Sequence, residues 1–208
     1  MNTGVKYIPN SPISNEDMNA LIEAARLAPS SMGLTHGELV VFKDQKEKEL
    51  ISKFFMETNI NKVKDSSLLI IISGLTLDFY KQNDFQPVLE RKTKYITKTL
   101  EEAIALKDVF KNYLGVHPVG DIQDYVTTAL MVENIALQAT ELGYGSTIMQ
   151  GFNDKELTQE LKDKNLINTY GRALLAIAIG KTDKDFEINK LSSKNKIRPS
   201  IDEFAKIV

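Results

Sequence analysis

The sequence predicts one layered domain of the α/β type, and three observations predict it. Helical and extended patterns alternate along the chain. Two strand candidates, Ser67 to Ser73 and Arg172 to Ile179, are apolar nearly throughout, as buried strands are. No stretch rich in Pro, Gly or Ser divides the 208 residues into two units, and a content of 42% hydrophobic residues is enough for one sizeable core.

Each element follows from local chemistry. Residues 14 to 28 read as a helix: Ser14 is an N-cap, Asp17 three residues on makes a weak capping box, and Met18, Leu21, Ile22, Ala25 and Ala28 recur at a helical period. Pro29 stops it and opens the loop Ser30-Ser31-Met32-Gly33. Leu39 to Phe42 is a short strand, and Lys46 to Phe55 a second helix. The run Leu-Leu-Ile-Ile-Ile marks the buried strand that Gly74 ends. Residues 78 to 120 carry the weakest pattern, polar with scattered aromatics and helical after Glu90. Residues 121 to 142 form a long helix with an apolar face wide enough for burial on several sides, and Gly143 terminates it. Thr147 to Met149 is a strand, Asn153 or Asp154 caps a short helix through Leu161, and the apolar strand ends at Gly180. A polar, basic tail from Lys181 to Pro199 precedes the short apolar end from Ile201 to Val208.

Composition excludes several chemistries. With no Cys there are no disulfides, thiolate metal sites or cysteine nucleophiles, and two His make a multi-histidine zinc site a poor candidate. The 26 Lys+Arg against 28 Asp+Glu give no global basic field for nucleic acid. No apolar run approaches the roughly 20 residues that a membrane helix needs, and residues 1 to 12 lack an apolar signal region. A soluble, cytoplasmic globular protein with no nucleic-acid or membrane partner is the expectation.

No single motif names a chemistry. Gly143-Tyr144-Gly145 begins a GxG, but it follows a helix, precedes a strand and lacks the third glycine, so a helix stop explains it better than a dinucleotide fingerprint. Ser30 and Ser31 have no nucleophile-elbow frame. His36 and His117 read equally as ordinary loop imidazoles. Lys196 and Arg198, two apart on an extended tail, point the same way; they suit a phosphate, or they are a solvated tail.

Three segments, taken together, resemble the nitroreductase family of FMN-dependent NAD(P)H oxidoreductases. They are Leu21-Ile-Glu-Ala-Ala-Arg-Leu-Ala-Pro-Ser-Ser31; Glu133-Asn-Ile-Ala-Leu-Gln-Ala-Thr-Glu-Leu-Gly143 continuing to Gln150-Gly151-Phe152; and Lys196-Ile-Arg198-Pro199. The resemblance implies an α+β fold, a three-layer α-β-α sandwich with a mainly antiparallel sheet, formed by residues 1–208 as a single FMN-binding domain. It also implies a homodimer with the flavin at the interface and NADH or NADPH as electron donor.

The resemblance assigns roles residue by residue. Pro29, Ser30, Ser31 and Gly33 would reach the flavin of the partner subunit, Gly33 standing where the family often has Asn. Asn59 and Lys62, in a loop before the buried strand, would meet the pyrimidine oxygens. Gln150 and Gly151 would present backbone N–H groups near flavin N5, with Gln in place of the usual Glu. Lys196 and Arg198 would hold the phosphate. Thr3 and Lys6 stand near the family's Arg-rich N-terminal segment without its arginines, so weaker FMN binding is expected. Thr35-His36-Gly37 replaces a Gln-Pro-Trp-like run, which makes His36 a substrate-pocket candidate. Phe110 is a candidate cover for the open flavin face, or a core residue. The chemistry implied is reduction of nitroaromatic, quinone or similar acceptors by a ping-pong scheme needing no acid–base side chain. A flavin binder without turnover, or a relative with different flavin chemistry, is the alternative.

Overall fold

The computed structural model describes residues 5–30, 37–75, 120–183 and 198–207, with residues 99, 101, 102, 104, 105, 109, 185, 186, 189 and 190 between them, and for residues 120–124 the backbone alone. In chain order the elements are α1 (Asn15–Arg26), β1 (Gly37–Phe42), α2 (Gln45–Ser52), α3 (Glu57–Asp65), β2 (Leu68–Leu75), α4 (Gly120–Glu141), β3 (Gly145–Met149), α5 (Asp154–Asp163), β4 (Gly171–Gly180) and the one-turn α6 (Ile201–Phe204).

The strands form a four-stranded sheet in the order β1-β2-β4-β3, and every neighbouring pair is antiparallel. The architecture is therefore α+β, as the family resemblance implies, and not the parallel α/β arrangement that helix–strand alternation suggests by itself. Alternation records the order of elements; strand direction is set by which strands pair. β2 and β4 lie at the centre and are buried along almost their whole length, which is why both read as continuous apolar runs.

Successive side chains of a strand point to opposite faces, and this divides the core in two. On one face Leu69 and Ile71 of β2 pack with Ile51 of α2, Val63 of α3 and Leu157 and Leu161 of α5. On the other, Leu68, Ile70 and Ile72 pack with Leu21 and Ala25 of α1 and Met131, Ile135 and Ala139 of α4. The result is helices, sheet, helices. β4 sorts its residues by size: Ala173, Ala176 and Ala178 face the first layer, and Leu175, Ile177 and Ile179 the second. The alanine side leaves room for Tyr7, whose buried hydroxyl lies 2.8 Å from the Ala178 carbonyl, to which it donates, and 3.0 Å from Thr147 Oγ1. Burial pushes the Tyr7 phenol well above its ordinary range.

The caps follow the sequence in most places. Ser14 Oγ accepts the Asp17 N–H at 2.9 Å, and Asn153, rather than Asp154, caps α5. Asp17 does not complete the capping box; its carboxylate accepts a 2.7 Å hydrogen bond from the Tyr144 hydroxyl instead. Tyr144 follows Gly143, which ends α4 at φ 79°, a left-handed backbone that favours glycine. The Tyr144–Asp17 bond therefore ties the end of α4 to the start of α1. Desolvation, then that bond, pushes the Tyr144 phenol up to about 12. Asn134 adds a second tie, donating to the Ala24 carbonyl at 3.1 Å.

Several boundaries differ from the sequence reading by a residue or two, and two differ in a way that matters. The helix expected from Lys46 to Phe55 ends at Ser52, and a separate helix, α3, runs from Glu57 to Asp65. β2 passes through Gly74 to Leu75, because Gly74 pairs with Gly37 on one side and Arg172 on the other.

Candidate functional site

The ledge between α3 and the turn after β3 is built by backbone pairing. Phe55 and Phe152 form an isolated antiparallel bridge, with ring centroids 5.5 Å apart. Beside it Asn153 N–H donates to Phe54 O at 2.8 Å, and Met56 N–H donates to Gly151 O at 2.9 Å. Met56 is the N-cap residue of α3 and offers no side-chain cap, so the first turn of the helix is positioned by the Gly151 carbonyl.

Asn59 and Lys62, one turn apart on α3, are both half-buried at this ledge. Asn59 Nδ2 donates to Gly151 O at 3.3 Å, and Lys62 Nζ donates to Asn59 Oδ1 at 3.1 Å. The three residues form a chain from carbonyl to amide to ammonium. Gly151 permits this approach: a Cβ there would lie 2.7 Å from Asn59 Nδ2. Gln150 is exposed at the same turn. Asn59, Lys62, Gln150 and Gly151, far apart in sequence, thus come together. The correction is that Asn59 and Lys62 stand on a helix, not in a loop. Their side chains share a face because of the i, i+3 spacing.

The other predicted residues are distributed as follows. Pro29 is exposed and Ser30 half-buried after α1, on the opposite side of the sheet. Lys6 is exposed, with its ammonium 4.3 Å from the centroid of the Phe186 ring. Asn189 accepts the Lys6 N–H at 2.9 Å and donates to Lys6 O at 3.1 Å, fixing this segment to the start of the C-terminal tail. Arg198 is exposed. Thr3, Ser31, Gly33, His36, Phe110 and Lys196 lie outside the described residues.

Sequence reasoning did not single out the backbone partners of the ledge. Phe55 and Met56 carry no functional signature, Phe152 entered only as the end of the Gln150-Gly151-Phe152 motif, and their part in the ledge depends on a pairing between segments nearly a hundred residues apart. For the polar part, Asn59 and Lys62, the signal was the family resemblance.

An amide, an ammonium and a glycine turn are thus gathered at one ledge of an α+β sandwich. A family model, the nitroreductase family, matches residues 6–181. The chain belongs to that family, and it is an oxidoreductase. A protein of Staphylococcus haemolyticus that bears the name "Putative NAD(P)H nitroreductase" is 24% identical over 172 residues, 79% of this chain and 76% of that one. Among solved structures, a nitroreductase-like protein of Streptococcus mutans superposes with a TM-score of 0.78 at 20% identity, covering 100% of this chain and 94% of the other. A nitroreductase-family structure from Exiguobacterium sibiricum, solved in complex with FMN, has a TM-score of 0.71 at 19% identity over 98% of this chain and 92% of its own. Among the described residues no helix is long and apolar enough to cross a membrane.

Proposed function

We propose that the protein is an FMN-dependent oxidoreductase that uses NAD(P)H to reduce nitroaromatic, quinone or similar small acceptors. The observation that carries this reading is the Gly151–Asn59–Lys62 chain. The donor set suits the carbonyl-rich pyrimidine edge of a flavin: Asn59 offers an amide, Lys62 a cation, and the turn at Gln150 and Gly151 offers peptide groups without a side chain at Gly151. When bound, FMN would supply the redox chemistry, hydride transfer from NAD(P)H to the acceptor in a ping-pong scheme over one open face. The chain's own share is to anchor the phosphate through Lys196 and Arg198, with Thr3 and Lys6 in the part of the family's N-terminal phosphate-binding segment. It also holds charge at the pyrimidine edge and shapes the open face with Phe110 and His36.

The same reading makes the protein a homodimer, in which Pro29, Ser30, Ser31 and Gly33 complete the partner's flavin site. Exposed apolar side chains support it. On α4, Val126, Leu130 and Leu137 stand 45%, 38% and 54% exposed on one stripe, while Met131, Ile135 and Ala139 of the same helix are buried against the sheet. Ile201 and Phe204 of α6 are 76% and 83% exposed. The expected mass by sedimentation at micromolar concentration is twice that of one chain; a flavin-loaded monomer would refute the dimer. A cytoplasmic location goes with the use of NAD(P)H, an intracellular reductant.

Spectroscopy tests the activity directly. The purified protein, supplied with FMN, is expected to show a yellow flavin band that bleaches when NADH or NADPH is added without oxygen. Adding a nitroaromatic or quinone should then restore the colour. A yellow protein that neither donor bleaches is a flavin binder and not this enzyme.

A further inference from the structure

The N-terminal segment is joined to the chain that follows β4 partly by backbone and partly by one side chain. Tyr7 and Thr182 form an isolated antiparallel bridge, and Ile8 N–H donates to Lys181 O at 2.8 Å. Lys6 and Asp183 flank this bridge on one side, and there Asn189 takes up the pairing. Its Oδ1 accepts the Lys6 N–H at 2.9 Å, and its Nδ2 donates to Lys6 O at 3.1 Å and to Asp183 O at 2.7 Å. A primary amide carries an acceptor and two donors, so it can serve a peptide N–H and two carbonyls at once. Asn189 is only 7% exposed, and its bonds are made away from water.

The same short stretch holds the far end of Lys6. The Phe186 ring lies 4.3 Å from the Lys6 ammonium. Lys6 is nevertheless exposed. An exposed lysine loses rotamer freedom when its geometry is fixed, so ordering one at both ends is unfavourable unless the ammonium is wanted at one place. The ring takes one side of the ammonium, which has three N–H donors and keeps others for an anion.

We propose that Asn189 is a positioning residue for the phosphate end of the flavin site, acting through Lys6 and assisted by Phe186. This role rests on the FMN reading above, in which Lys6 and the tail cations Lys196 and Arg198 serve the phosphate. Asn189 supplies the tie between the two segments: its backbone belongs to the stretch leading to Lys196 and Arg198, and its side chain grips the N-terminal residue. A cation already ordered before the ligand arrives leaves less ordering to be done on binding.

The test titrates FMN and riboflavin, which differ by the phosphate alone, into the purified full-length protein, followed by flavin fluorescence. Asn189→Ala is expected to lower the ratio of FMN to riboflavin affinity several-fold, with riboflavin affinity nearly unchanged. A merely structural tie would weaken both ligands alike and leave the ratio where it was. In a Lys6→Ala background, which keeps the backbone groups that Asn189 grips, Asn189→Ala should lower the ratio little further, because its effect passes through the ammonium. Phe186→Leu, which keeps an apolar side chain and removes the ring, should also lower the ratio, and it decides the matter if Asn189→Ala does not fold. An unchanged ratio in Asn189→Ala, or effects of Asn189→Ala and Lys6→Ala that simply add, overturns the proposal and leaves the FMN reading standing. A parent that binds neither flavin, or riboflavin as tightly as FMN, overturns the phosphate site itself and this role with it.

Discussion

Protein carrying Lys196→Ala together with Arg198→Ala is expected to purify without its yellow colour and to recover it only at high added FMN. A terminal phosphate carries two negative charges, and in the proposed reading the two cations, Lys196 and Arg198, both bind it. Each charge-assisted hydrogen bond contributes roughly 1.5–3 kcal/mol, with the low end suited to a site as open as the one around the exposed Arg198. Loss of both weakens binding by about 3 kcal/mol, or somewhat more than a hundredfold in Kd. The fold should not suffer: Arg198 lies in the tail after β4, outside both halves of the core. Fluorescence titration with FMN, and in parallel with riboflavin, separates the effects. The double variant should lose affinity for FMN and leave riboflavin, which has no phosphate, nearly unchanged. Equal FMN affinity in parent and variant would remove both residues from the phosphate site.

The parts of this protein that were legible from sequence are those fixed by local pattern. The apolar runs of β2 and β4, the caps at Ser14 and Asn153 and the glycine stop at Gly143 each depend on neighbours within one or two turns. What was illegible depends on distant partners. α3 was missed because its start is fixed by the Gly151 carbonyl rather than by a capping side chain, so no N-cap signal precedes Glu57. The antiparallel order was legible only through the family resemblance, because helix–strand alternation is common to parallel and antiparallel layered folds. Asp17 looked like half of a capping box because its real partner, Tyr144, lies 127 residues away. The site shows the same division: the Asn59 and Lys62 spacing is visible in the chain, but their approach to Gly151 appears only once Phe55 pairs with Phe152.

That approach gives Lys62 a testable part. Lys62→Ala is expected to lower the midpoint potential of bound flavin by tens of millivolts and to slow its reduction by NAD(P)H, with the fold intact. Reduction adds negative charge at the pyrimidine end of the ring, so a fixed cation there favours the reduced form. At an effective dielectric near 20, a unit charge about 5 Å away contributes a few kcal/mol before screening. Lys62 is only half-buried, so water and salt remove much of this. About 30 mV, equivalent to about 1.4 kcal/mol for a two-electron couple, is a fair size for what remains. The ammonium is not free to swing away, because Asn59 Oδ1 holds it at 3.1 Å while the Asn59 amide is held in turn by Gly151 O. Stability should change little, since Lys62 is only half-buried and Val63, the next residue, carries the burial of this helix. The measurement is a redox titration of variant and parent side by side, with Lys62→Arg as a control that retains the charge. A potential that falls in the alanine variant and is largely restored in the arginine variant assigns the effect to charge. An unchanged potential in Lys62→Ala would put the ammonium away from the ring and leave the Gly151–Asn59–Lys62 chain a structural tie between α3 and the turn after β3.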